Sequence, residues 1–298
     1  MRHSPSRGNG SAHVWGVYEP DTGSVQYVVA CPRTRAAALV DVVWNFDPKS
    51  FATDDRSLRQ VMNLVREHDL RVEWVLDTHP HADHFMANAQ AAEACAAPRA
   101  IGEKVRDVAV LWRDAYNMPN AFDVERTFDR LWCDGDTFRI GELPVRVVLS
   151  PGHTLASVTY VAGNDAAMVH DTLMHPDVGT SRCDFPGGSA AQLWDTIQTI
   201  LSLPEETRLF VGHDYGADGR DEPAWEATVA EHKRANVHVR DGTVREDWIR
   251  IREERDATLP LPDRMLAALQ VNLRGGDLGP PENDGRHYLK MPVNRFKE

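Results

Sequence analysis

The sequence predicts an α/β protein, a sandwich of sheets covered by helices. Three observations carry that expectation. Apolar, β-branched runs alternate with segments of helical periodicity between residues 14 and 221. Four of those runs end on histidine or aspartate. With 42% hydrophobic and 26% charged residues over 298 positions, the composition is that of a globular chain able to bury a large core.

The elements follow in order. Residues 1–13, beginning MRHSPSRGNGSA, lack any periodicity and predict a disordered leader. VWGVYE and SVQYVVAC read as a strand pair around the turn Asp21-Thr22-Gly23, and AAALVDVVW as a further apolar strand. Asp54 to Leu70 predicts an amphipathic helix, with Leu58, Val61, Met62 and Val65 on one face and Asp54 or Asp55 as its N-cap. VEWVL is a short buried strand, and FMANAQAAEACAA a second helix stopped by Pro98. RAIG, a helical region reaching Phe128 and a hairpin in LWCDGDTFRIGELPVRVVLS come next. SVTYVAG, AAMVHD and TRLFVGH add strands, with a helix from Ala190 to Leu203. Glu222 to Asn236 and Glu246 to Asp256 read as charged helices. The expected organisation is one domain over 14–221 and a helical extension over 222–298 packed on it.

A net charge of -12 argues against nucleic acid or an anionic membrane as partner, since both attract basic surfaces. The four cysteines are scattered, without a CxxC or a disulfide-dense pattern. No apolar run approaches membrane-spanning length, and the start lacks the apolar core of a secretory signal. A cytoplasmic protein with reduced thiols is the expectation.

VLDTHPHADHF, from Val75 to Phe85, places His79, His81, Asp83 and His84 at the end of an apolar strand. VVLSPGHT, AAMVHD and LFVGHD deliver His153, Asp171 and His213 in the same way. Imidazole and carboxylate are the ligands of zinc, iron or manganese. His79 and His81, two residues apart in an extended segment, point the same way. A polar turn would explain any one of these groups; four strand ends together favour a metal centre.

The THPHADH stretch resembles the THxHxDH signature of the metallo-β-lactamase superfamily, and SPGHT, Asp171 and GHDY follow in that family's order. The resemblance implies an αββα sandwich with the metal site at one edge. It implies His79, His81 and His153 for one metal position and Asp83, His84 and His213 for another, with Asp171 able to bridge. His170 stands where a small residue is usual in that family; it could support the ligands, but the favoured expectation is that it faces away.

GTSRCDF and GHDYGADGR are similar to segments of the glutathione persulfide dioxygenases within that superfamily. That resemblance implies one Fe(II) per chain held by His79, His153 and Asp171, with glutathione persulfide as substrate. His81, Asp83, His84 and His213 would then orient the ligands, and Arg182, Asp184 and Tyr215 would lie on the substrate side. The alternative is a thioester hydrolase resembling glyoxalase II, with one or two Zn(II) or iron ions using every ligand. Cys183 beside Arg182 could carry a lowered pKa, but is expected to be inert. Trp112 and Tyr116 are expected as packing, and Arg274 could meet an anionic substrate or the neighbouring subunit of a homodimer.

Overall fold

The central strands of both sheets are apolar on two sides, because each sheet is covered by the other within and by helices without. At one edge, Thr137, Arg139 and Arg146 face solvent. The computed structural model describes residues 1–296. The first half holds β1 (Arg2–Ser4), β2 (His13–Glu19), β3 (Ser24–Ala30), β4 (Ala36–Val40), β5 (Val43–Asp47), β6 (Ala52–Asp54), α1 (Arg56–Glu67), β7 (Arg71–Leu76), β8 (Phe85–Met86), α2 (Asn88–Cys95), β9 (Arg99–Gly102), α3 (Val105–Tyr116), α4 (Val124–Thr127) and β10 (Arg130–Trp132). The second holds β11 (Thr137–Ile140), β12 (Leu143–Leu149), β13 (Val158–Ala162), β14 (Ala166–His170), α5 (Ala190–Leu201), β15 (Arg208–Val211), β16 (Glu226–Thr228), α6 (Val229–Ala235), α7 (Arg245–Asp256) and α8 (Met265–Asn272). One sheet runs β1-β2-β3-β4-β7-β9-β10, the other β11-β12-β13-β14-β15-β16, and a small third sheet runs β6-β5-β8.

The alternation along β3 shows how the layers form. Val25, Tyr27 and Val29 point into the space between the sheets, against residues such as Val147, Tyr160 and Phe210. Val28 and Ala30 point the other way, under Leu58, Val61, Leu64 and Val65 of α1. Strands β4 and β7 pair in parallel, as do β14 and β15. Parallel neighbours need crossovers, which α1 and α5 supply. Their C-terminal ends therefore emerge at one edge, where the His- and Asp-bearing turns collect.

The structure departs from the sequence reading at several points. Residues 1–13 do not form a disordered leader: β1 pairs with β2, Arg2 opposite Gly16. The buried guanidinium of Arg208 holds this arm, donating to Ser4 Oγ (2.8 Å) and the Ala12 carbonyl (3.0 Å) beside Asp165. AAALVDVVW is two strands in different sheets, broken at Asp41 with φ 53°. Asp41 turns there to accept from the Thr78 N–H and hydroxyl, both at 2.8 Å. Phe85 and Met86 are a strand, and the following helix begins at Asn88. At α1 the Asp55 side chain makes no cap, and Asp54 accepts from Arg56 N at 3.0 Å instead.

The boundary expected at residue 222 cuts through a sheet. Glu226–Thr228 is β16, the edge strand paired with β15, and only Val229–Ala235 of the expected Glu222–Asn236 helix is helical, capped by a Thr228–Glu231 box. α7 packs on α5 through Trp248 and Trp194, ring centroids 5.5 Å apart. No helix among the described residues is long and apolar enough to cross a membrane.

His232 of α6 is buried, with Nδ1 accepting from Asn236 Nδ2 at 3.1 Å. Burial pushes its pKa down to about 4, against about 6.5 in an unfolded chain. The unfolded chain thus takes up the proton first. The stability His232 contributes is complete above pH ~6.5 and lost as pH falls toward 4. In urea melts, the stability gap between the wild-type chain and His232→Phe should shrink across that window; a gap independent of pH would contradict this.

Candidate metal centre

Four strand ends build the site. The turn after β7 supplies His79, the turn after β12 His153, the end of β14 Asp171 and the turn after β15 His213. All four are buried. His79 Nε2 lies 3.6 Å and His153 Nε2 3.5 Å from Asp171 Oδ2. The three ligand atoms are mutually within 4.8 Å.

The remaining ring nitrogens explain this convergence. His153 Nδ1–H donates to the Arg182 carbonyl at 2.7 Å. Thr78 Oγ1 spends its proton on Asp41, so at 3.0 Å it accepts from His79 Nδ1–H. Each imidazole is thereby fixed in the tautomer that leaves Nε2 as a lone-pair donor. Burial, reinforced by His81, His153 and His170, holds the His79 pKa well below its ordinary value, so the ring is neutral. Burial works against charge on Asp171, but His213 overrides it and the carboxylate is ionised. Two neutral imidazoles and one carboxylate fit a first-row divalent ion with open positions.

His213 bridges the two aspartates. Nδ1 donates to Asp171 Oδ1 at 2.6 Å and Nε2 to Asp83 Oδ2 at 2.8 Å. Two carboxylate acceptors require two N–H donors, hence an imidazolium. Burial opposes that charge, yet Asp171 and Asp83 together hold the pKa well above its ordinary value. Asp83 also accepts from Ser24 Oγ at 3.0 Å and lies 3.0 Å from His84 Nδ1.

His81, Asp83 and His84 form a second possible ligand group, and His81 also groups with Asp41 and Asp77. His81 Nε2 is 3.2 Å from Asp41 Oδ1, off the line of a hydrogen bond, so both ring nitrogens lack a hydrogen-bond partner. His170 does not face away: its buried ring lies 5.2 Å from that of His79, with Nε2 2.9 Å from Thr172 Oγ1. Its φ of 43° is the left-handed region, a conformation that favours glycine.

A cavity of about 750 Å³ opens on His153, Asp171 and His213. Arg182 lines it but is paired with Asp184, Nε and Nη2 each 2.6 Å from a carboxylate oxygen, while Nη1 donates to the Pro260 carbonyl at 2.7 Å. Asp184 thus holds Arg182 and does not line the cavity. Tyr215 stands exposed at the mouth, stacked on His213 with centroids 5.5 Å apart. Cys183 is buried against Asp256, and burial with that carboxylate pushes its pKa up to about 12; it is an inert thiol. Trp112 and Tyr116 are packing, in a cluster with Phe122 and Leu269. Arg274 stacks on Phe122, away from the cavity.

One supporting residue had no sequence signal. Asn272 of α8 is fully buried, and its Nδ2 donates to the carbonyls of His81 (2.7 Å) and His84 (2.8 Å). Its Oδ1 accepts from Met86 N at 2.8 Å. An asparagine in an apolar QVN run near the far end of the chain gives no hint of such a partner 190 residues earlier; only the tertiary fold does.

A model of the metallo-beta-lactamase superfamily matches residues 20–213, a span that carries His79, His81, Asp83, His84, His153, Asp171 and His213. The chain belongs to that superfamily. It is 53% identical over 282 residues to a beta-lactamase hydrolase-like protein of Agrobacterium fabrum, covering 95% of this chain and 65% of that relative. The chain therefore spans somewhat under two thirds of that protein's length. A solved ETHE1 from Myxococcus xanthus superposes with a TM-score of 0.70 at 29% identity, covering 89% of this chain and 99% of that one. The mitochondrial persulfide dioxygenase ETHE1 of Bos taurus is 24% identical over 267 residues, 89% of each chain.

Asp171→Ala should abolish metal retention, measured as metal per chain after anaerobic purification; wild-type metal content in the variant would contradict the ligand set. Asn272→Ala leaves two carbonyls and one N–H unpartnered around the metal loop. It should loosen the turn that continues from His79 and weaken metal affinity by up to roughly 10-fold, the low end for losing a group around a metal site. A competition titration with a chelator reads this, and unchanged affinity would show that the loop holds itself.

Proposed function

We propose that the chain is a persulfide dioxygenase, oxidising the terminal sulfur of a thiol persulfide with O2 at a mononuclear iron centre. Glutathione persulfide is the reference substrate. The observation that carries this reading is His213 tied between Asp171 and Asp83. In that arrangement His213 stands with the two carboxylates, and the ligand atoms of His79, His153 and Asp171 converge as a set of their own. The likeness to two ETHE1 proteins supports the same reaction.

Fe(II) in this two-His-one-carboxylate set would supply redox chemistry with O2 beside open positions for substrate. The chain's residues do the rest. His213 fixes Asp171 through Oδ1, so that Oδ2 faces both imidazoles. The Arg182 carbonyl and Thr78 hold the two rings in the donor tautomer. Tyr215 covers the outer side of His213. In the overall reaction R–S–SH, O2 and H2O give R–SH, sulfite and two protons: the S–S bond breaks, the outer sulfur is oxidised, and water supplies the third oxygen.

A second reading, thioester hydrolysis at a dinuclear centre, is favoured by the presence of His81, Asp83 and His84 as a ready ligand group. The iron-loaded chain should consume one O2 per sulfite formed from glutathione persulfide and leave a glutathione thioester intact. Thioester turnover without O2 uptake would overturn the dioxygenase reading.

A further inference from the structure

The cavity above the metal centre is walled mainly by apolar side chains: Met174, Val178, Phe185, Val237, Trp248 and Ile251. Trp248, Ile251, Arg252 and Arg255 follow one another at helical spacing on α7, so a single helix face forms one wall. From Trp248 to Arg255 that face runs ~10 Å, at about 1.5 Å per residue. His153, Asp171 and His213 line the same cavity.

Charge on the walls leaves few cations free for a carrier's carboxylates. Arg182 is neutralised by Asp184, and Arg252 by Asp256, with its Nη1 on the Thr180 carbonyl at 3.3 Å. His238 spends Nδ1 accepting from Thr180 N at 3.0 Å. Asp83 is matched by His213, and Asp247 faces Arg250 at 3.8 Å. Among the described residues, Arg255 is the one arginine of this wall without an ion-pair partner, and its side chain is exposed. Ile251 and Val237 remain more than half exposed at the same mouth, apolar surface that an apolar ligand would cover.

We propose that this cavity is a subsite for an extended apolar arm on the substrate thiol, with a single terminal anion reaching Arg255. The substrate class is then an amphiphilic thiol derivative, sulfur at the metal end and carboxylate at the rim. This rests on the persulfide reading only for which sulfur species reacts; the arm subsite stands on the cavity itself.

The test is calorimetry of the metal-free chain with ω-mercaptoalkanoates of increasing chain length, and with glutathione. Affinity should rise by up to about fourfold per methylene, with a negative heat-capacity change, until the carboxylate meets Arg255. Ile251→Asp should flatten the length dependence, and Arg255→Gln should remove the last gain only. Glu253→Gln, on the opposite exposed face of α7, should leave the profile unaltered. No length dependence, or glutathione binding more tightly than the longest chain, would overturn the proposal. The persulfide and the acyl thioester of the tightest binder are then offered to the iron-loaded chain. Thioester cleavage without O2 uptake sinks the dioxygenase reading and keeps the arm subsite. Oxygen uptake on glutathione persulfide with a flat length profile sinks the subsite and keeps the dioxygenase.

Discussion

The imidazolium of His213, between the buried carboxylate of Asp171 and the half-buried one of Asp83, is the interaction on which the rest of the site depends. A charged ring removed from water is costly unless both N–H groups are matched by acceptors of opposite charge. Asp171 and Asp83 provide that match at 2.6 and 2.8 Å. The bond to Oδ1 also sets where Oδ2 can stand, and through it where His79 and His153 converge. Gly212, next in the chain, is part of the same constraint: a Cβ there would lie 2.5 Å from Asp171 Oδ1.

The fold supplies this arrangement by parallel pairing. β4 and β7 present Asp41 and the His-rich turn side by side, and the Asp41–Thr78–His79 relay works because those two strand ends are neighbours. β14 and β15 do the same for Asp171 and His213. The C-terminal residues belong to this machinery. β16 closes the second sheet, α7 forms a cavity wall, and α8 reaches back with Asn272 to clamp the loop that carries His81 and His84.

Much of this was legible in the chain. Apolar runs ending in His or Asp pointed to the fold class and to the His79, His153 and Asp171 set, though not to Asp41 and Asp77 beside His81, because both strand burial and metal ligation impose local patterns on sequence. What was illegible depends on distant partners. Arg208 orders the N-terminal arm, which has no periodicity of its own, and Asp41 breaks an apolar run by bonding to Thr78. Arg182 looked like a free cation because its neighbour Asp184 is as readily a solvated acid as an ion-pair partner; the 2.6 Å contacts decide that. His170 looked bland because nothing local says that its ring will lie against His79.

The central claim is that one ion, held by His79, His153 and Asp171, serves the proposed reaction while His213 stays with the carboxylates. Anomalous diffraction at the iron edge from crystals of the anaerobically loaded chain tests it most directly. One peak within bonding distance of those three residues, with His213 still bridging Asp171 and Asp83, is the predicted result. Two peaks, the second ligated by Asp83, His84 and His213, would contradict it.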